Sequence, residues 1–160
     1  MASNLFFHLT GGASNADPGL SLGGTGSDQR ISQTALNNLF DNVTPAEVSG
    51  GSHVEYRALD LLNEGDATAL NVEFFFIDTP NAESSLAVWL DTTGTQSIDP
   101  DTDEPVGAAG NWTTPLIGSK LSLSNLGAIT YAHRLWIRRT IVQDAENLHL
   151  DTGTINAWFS

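Results

Sequence analysis

The sequence predicts an all-β protein, an antiparallel β-sandwich of jelly-roll or immunoglobulin-like type with an extended Gly-rich N-terminal arm. Three observations carry this. Apolar residues alternate with period two in runs that recur from residue 53 onward. Turn-forming Asn, Asp, Gly and Pro separate those runs. No stretch has the 3.6-residue period of a long helix, so βαβ units do not fit. The predicted division is an arm over 1–35 and a sandwich over 36–160.

Taken in order, residues 4–9 (NLFFHL) suit a strand at a sheet edge, with Phe6 and Phe7 as candidate contact residues. Residues 11–29 are rich in glycine and hold little to bury, which reads as an arm or an irregular wrap. Residues 31–40 fit either one helical turn or an edge strand. VEYRALDLLN (54–63) is a strand closed by a turn at Asn63–Asp66. ALNVEFFFID (69–78) is the strongest strand, with Val72, Phe74 and Phe76 on one face and Phe75 and Ile77 on the other. Two apolar faces mark a central strand, or one whose outer face meets a partner. SSLAVWLDT (84–92) sets Leu86, Val88 and Leu90 against Trp89. A long loop over 93–111 follows. KLSLSNLG (120–127) is a short strand with Leu121 and Leu123 inward, and YAHRLWIRRTIV (131–142) is the second long strand. The last segment, 147–160, reads as a hairpin that turns at Asp151–Gly153.

Composition narrows the function. The 160 residues carry 19 acidic and 6 basic side chains, a net charge of −13. A sequence-independent grip on nucleic acid needs Lys and Arg to displace counterions, so neither nucleic acid nor an anionic membrane surface is an expected partner. Without cysteine, disulfides, thiolate metal sites and thiol catalysis are excluded. No apolar run approaches the ~20 residues of a spanning helix. The start, MASNLFFHLT, lacks the basic n-region of a signal peptide.

Several motifs look chemical and fail on context. Asp151-Thr152-Gly153 matches the aspartic-protease signature, but only seven residues follow it, and a β-turn suits Asp and Gly equally. Asp99, Asp101 and Asp103 alternate as calcium ligands do, which makes them weak metal candidates. Glu104 stands where that loop needs Gly, and Gly110 where it needs a bidentate Glu. The glycines of 23–29 lack the Lys-Ser/Thr of a phosphate loop. His8, His53, His133 and His149 show no metal-ligand spacing, and no serine sits in a nucleophile elbow. No catalytic residue and no cofactor is expected. The arginines say more. Arg138 and Arg139 point to opposite faces of one strand. Arg139 shares its face with Leu135, Ile137 and Ile141, where a charge needs a partner. Glu55 and Arg57 share a face of the 54–63 strand. Glu55 is expected to pair with Arg138 or Arg139, across the sheet or across a protomer boundary.

Three stretches also resemble a known group. GGSHVEYRALDLLNEG (50–65), LWIRRTIVQDAENLHLDTG (135–153) and the lead-in LNNLFDNVTPAEVSGG (36–51) are similar to patterns in small β-sandwich virion proteins of tailed phages, of the capsid decoration or cement type. The resemblance spans about residues 36–160. It departs after Thr140, and it does not reach residues 1–35 or the loop 93–111. It implies a non-enzymatic protein on the outer surface of the major capsid shell, assembled in the host cytoplasm. The partners it implies are the major capsid protein and two further copies, as a trimer at local three-fold positions. Trp89, Trp136 and Trp158 would then be natural contact anchors. A tail, baseplate or fibre-associated sandwich is the alternative. A carbohydrate-binding module, resting on Trp89, Asp91 and the 93–111 loop, is a further one.

Overall fold

A computed structural model describes residues 2–32, 39–78, 83–128, 133–143 and 154–160. Two antiparallel sheets face each other. The larger has the order β2-β1-β3-β7-β5, built from β1 (Leu5–Thr10), β2 (Gly26–Arg30), β3 (His53–Asn63), β7 (His133–Ile141) and β5 (Ser84–Asp91). The smaller has the order β6-β4-β8, built from β6 (Leu121–Ser122), β4 (Glu73–Asp78) and β8 (Thr154–Trp158). Among the described residues, helix is confined to a single turn, α1 (Pro45–Val48), and a 3₁₀ turn at Pro18–Leu20. No helix among the described residues is long and apolar enough to cross a membrane.

The strands with the clearest alternation lie where they can bury it. The pairing of β3 with β7 runs without interruption from His53 opposite Ile141 to Leu61 opposite His133. Leu59, Leu61, Leu135 and Ile137 face the small sheet, joined by Leu86 and Val88 of β5. Val72, Phe74 and Phe76 meet them from the β4 side, all fully buried. Phe74 packs edge-on against both Phe7 and Phe76, with centroids 6.0 and 5.3 Å away. Each such side chain stabilises the fold by roughly 1.5–3 kcal/mol through lost water contact. The other face of β3–β7 is buried too. Tyr56, Ala58 and Trp136 form a second cluster there with Val54, Trp89, Ile98 and Trp112.

What covers that second face corrects the expectation of an extended N-terminal arm. Residues 2–32 are part of the fold. β1 pairs with β3 from Leu5–Asn63 to His8–Asp60, and Leu9, Thr10 and Ser21 are buried. Beyond β1 the edge of β3 is completed by loops. The Ala58 N–H donates to the Ser21 carbonyl (2.7 Å) and the Tyr56 N–H to the Asp101 carbonyl (2.9 Å). Ser21 Oγ donates back to the Ala58 carbonyl at 2.6 Å. The glycines that suggest mobility instead permit close approach. Gly23 has φ +88°, and a Cβ there would strike the Gln96 carbonyl and lie 2.7 Å from the Trp136 ring. The segment around Gly23 pairs with the long loop through Gly24 N–H to Gln96 O (2.7 Å) and Ile98 N–H to Leu22 O (3.0 Å).

Two other expectations are modified. The 120–127 strand is regular only over Leu121–Ser122. Leu123 and Leu126 continue it by isolated hydrogen bonds to Val72 and Ala69, and both are buried. The C-terminal strand pairs with β4, from Glu73–Trp158 to Asp78–Thr154. The rest of the predicted hairpin, with Asp151–Gly153 and His149, lies outside the described residues, as does most of 31–40.

Glu64 fastens the N-terminal strands to the end of β3. Arg30 Nε donates to Glu64 Oε1 at 2.9 Å, Arg30 Nη2 reaches Oε2, and His8 Nε2 lies 2.7 Å from Oε1. The Arg30 hydrogen bond holds the Glu64 carboxyl below its ordinary value of 4.5. Burial opposes the shift, and the His8 contact reinforces it. A depressed folded pKa means the stabilisation is complete above 4.5 and fades as pH falls through the folded value. Thermal unfolding of wild type and Glu64→Gln should therefore differ most at neutral pH, and the gap should narrow on acidification below 4.5. A gap that persists unchanged at strongly acid pH would contradict the role given to this carboxylate.

Candidate functional site

Several candidate residues meet at the end of the sandwich where β3 begins. The register places Glu55 opposite Arg139, and Arg139 Nε donates to Glu55 Oε2 at 2.9 Å. The pair forms within one chain, across the sheet. Arg139 Nη2 also donates to the Asp41 carbonyl at 2.6 Å. Arg57 is buried beside them at 1% exposure, and its Nη1 donates to Asp101 Oδ2 at 2.8 Å. The Phe40 ring lies between the two guanidiniums, 5.4 Å from Arg57 and 4.8 Å from Arg139. Buried charges of this kind survive because each is paired and stacked. Arg138 points to the opposite face and stacks on Trp112 at 4.9 Å.

The aromatic candidates separate. Trp136 is fully enclosed, which corrects its reading as a contact anchor; it packs on Ala58 and Tyr56 in the second cluster. Trp89 is half-buried in the same cluster, 6.5 Å from Trp112. Phe7 packs on the main core, and Phe6 carries the Arg30 guanidinium 3.5 Å above its ring. Trp158 alone of these is well exposed, at 50%.

The carboxylates of the 99–103 loop do not converge. Asp101 turns in to Arg57, Asp99 and Asp103 are exposed, and Glu104 accepts from the Trp112 indole N–H at 2.6 Å. Among the described residues no group of three His, Asp or Glu side chains could hold a metal ion. Nor do the described histidines gather: His53 faces Glu55 at 3.2 Å, and His133 Nε2 lies 2.8 Å from the Ser124 carbonyl.

Two features escaped sequence reasoning. The first is the outer face of the small sheet. Trp158 on β8 lies opposite Glu73 on β4, and Lys120, the chain's single lysine, reaches across both. Its Nζ lies 2.8 Å from Glu73 Oε2, 4.7 Å from the Trp158 ring centre and 5.3 Å from that of Phe75. Ile77 on the same strand face is 46% exposed, and Ile117, in the turn beside β4, is 69% exposed.

The second is a pocket of about 360 Å³ at the opposite end of β3–β7 from Glu55. Asp60, Arg134 and Asp91 are direct neighbours on β3, β7 and β5 and lie in its wall. Arg134 grips Asp60 with both Nε (2.5 Å) and Nη2 (3.0 Å), and Nη2 also donates to the Gly24 carbonyl at 2.9 Å. Asp91 Oδ1 accepts from the Thr93 hydroxyl (2.6 Å), the Thr93 N–H (2.8 Å) and the Gly94 N–H (3.1 Å). Burial alone would raise the Asp91 pKa. The Thr93 and Gly94 hydrogen bonds outweigh it and hold the carboxyl below 3.8, and the Trp136 indole N–H lowers it further. Arg134 Nη1 and Asp91 Oδ2 are buried without a hydrogen-bond partner among the described residues. An acid and a base at interior positions of the two longest strands were the available signal for the Asp60–Arg134 pair.

No family model, curated protein or solved structure matches the chain. The function must be argued from these surfaces.

The Arg57 environment gives a direct test of the charged end. Asp101→Ala leaves a buried guanidinium without its carboxylate and should lower stability by about 1.5–3 kcal/mol in chemical denaturation. Asp103→Ala, two residues away and exposed, should change it by less than about 0.5 kcal/mol. Equal effects would mean that the Arg57–Asp101 bond is not what holds the loop.

Proposed function

We propose that this protein is a non-enzymatic β-sandwich of a tailed-phage virion, a capsid decoration protein that sits on the outer surface of the major capsid shell. The observation that carries the reading is the outer face of the small sheet. Trp158 and Ile77 are exposed there beside the only lysine, on a chain whose net charge is −13. An acidic protein with few free cations has an apolar, shape-matched face as its best means of docking on a surface that offers it no strong positive charge. Trp with a flanking cation is the kind of anchor that dominates such contacts. The resemblance of residues 36–160 to decoration proteins supports the choice of a capsid lattice as partner. So does the acidity, which is compatible with the outside of a shell and not with its packaged genome.

The mechanism is mass action. A protein that binds the mature shell better than its precursor stabilises the mature state by that difference in affinity. Assembly as a trimer at local three-fold positions would let three modest contacts act together.

Purified shells incubated with the protein should bind wild type in numbers comparable to capsid subunits. Trp158→Ser combined with Ile77→Ser should weaken binding at least roughly tenfold and leave the thermal midpoint nearly unchanged. Undiminished binding by the double variant would refute the assigned face. A few copies per particle, located at the tail, would refute the assigned station.

A further inference from the structure

We infer that His8 is the proton switch of a clasp that holds the N-terminal strands β1 and β2 to the end of β3, closed when the ring carries both its protons and loosened when one is lost. The inference is independent of the capsid reading. It rests on what the two ring nitrogens face. Nδ1 lies 3.1 Å from the Ser27 carbonyl and Nε2 lies 2.7 Å from Glu64 Oε1. A carbonyl oxygen only accepts, and so does an ionised carboxylate, so each nitrogen needs its own proton to make its bond. A neutral ring would turn a lone pair toward one of the two oxygens. His8 is 5% exposed, so water is poorly placed to replace the lost bond.

The surroundings ask for the same charge. Cross-strand register sets Arg30 of β2 opposite His8 of β1, His8 opposite Asp60 of β3, Asp60 opposite Arg134 of β7, and Arg134 opposite Asp91 of β5. The row crosses all five strands of the large sheet, and Glu64 adds its carboxylate between Arg30 and His8. Asp28, also on β2, is exposed to solvent. Two guanidiniums in the row thus meet three carboxylates, and a protonated His8 balances them. Histidine is the one residue type in the row whose charge changes near neutral pH. The lowering of the Glu64 carboxyl by the His8 contact agrees with a cationic ring.

Linkage gives the direction. Closing the clasp takes up a proton at the ring, so closure is favoured toward lower pH and weakened as pH rises. On the acid side the clasp fails for a second reason, protonation of Glu64, whose carboxyl the Arg30 hydrogen bond chiefly holds below 4.5. Closure is therefore confined to a window between these two titrations. The loosening is local. The Glu64 N–H donates to the Asn4 carbonyl at 2.9 Å, and this backbone link goes with the clasp. Arg30 also rests on the Phe6 ring at 3.5 Å, so release of Glu64 uncovers that ring. Farther along, the Thr10 and Ser21 hydroxyls donate to the Ala58 carbonyl at 3.4 and 2.6 Å, bonds that carry no charge and keep the other end of β1 docked.

The test combines amide hydrogen exchange with ring ¹⁵N shifts on the labelled full chain. From about pH 5.5 to about pH 8.5, protection of the Glu64 amide, corrected for the intrinsic base-catalysed rate, should fall roughly tenfold or more. The Leu135 and Ile137 amides should keep theirs. Where the Glu64 amide is best protected, both His8 ring nitrogens should show the shift of a protonated nitrogen. His8→Gln can still donate to Glu64 but has no proton to lose, so protection at Glu64 should stop depending on pH over this range. His53→Gln and His133→Gln, which lie outside the clasp, should leave the dependence as in wild type. If His8→Gln fails to fold, the ring shifts and exchange of wild type still decide. The inference is overturned if the ring holds one proton while the Glu64 amide is protected, if that protection does not change with pH, or if His8→Gln retains the change.

Discussion

The pairing of β3 with β7 is buried on both faces, and that constraint governs the rest of the molecule. Residues 55–61 of β3 are all buried, among them Glu55, Arg57 and Asp60. A strand in that position cannot leave a charge unpaired, because a lone ion in a low-dielectric interior costs far more than the fold has to spare. Each is therefore matched: Glu55 by Arg139, Arg57 by Asp101, and Asp60 by Arg134. Two of these partners lie directly opposite on β7, so the ion pairs also fix the register, since a slip of one residue would strand them on the wrong face. The third comes from the long loop and fastens it over the outer aromatic cluster.

This economy of charge shapes the surface. Five of the six basic side chains are held in ion pairs with acids of the same chain, and the sixth, Arg138, stacks on Trp112. Among the described residues, most of the remaining acids face solvent, and Asp91 is the buried exception. Meanwhile the N-terminal segment and the 93–115 loop cover the outer face of the large sheet, so that face is not free to meet a partner. Among the described residues no such cover lies over Trp158 and Ile77. The proposed docking surface and the acidic exterior thus share one origin, the two-sided burial of β3–β7.

Much of the fold was legible in the sequence, because period-two alternation is strong in 54–63, 69–78, 84–92 and 131–142, and strands lie at all four. The two apolar faces of the 69–78 strand signalled a central strand, or one whose outer face meets a partner, and β4 is the central strand of the small sheet. The arm was misread because glycine and serine carry no apolar signal. Thr10, Ser21 and Gly23 pack through hydrogen bonds and close approach, which hydropathy does not register. Trp136 was read as a contact anchor, and the second apolar layer that encloses it includes Ile98 and Trp112 from a loop the pattern could not fold. The pocket was illegible because Asp60, Asp91 and Arg134 are far apart in sequence, and only cross-strand register unites them.

Hydrogen exchange of the free protein examines the two-sided burial most directly. The Tyr56 and Ala58 amides, which donate to loop carbonyls at Asp101 and Ser21, should exchange as slowly as the amides of Leu135 and Ile137 in the centre of β7, through global unfolding alone. Fast exchange at Tyr56 and Ala58, with β7 still protected, would show that the outer layer opens on its own and that the large sheet is buried on one face only.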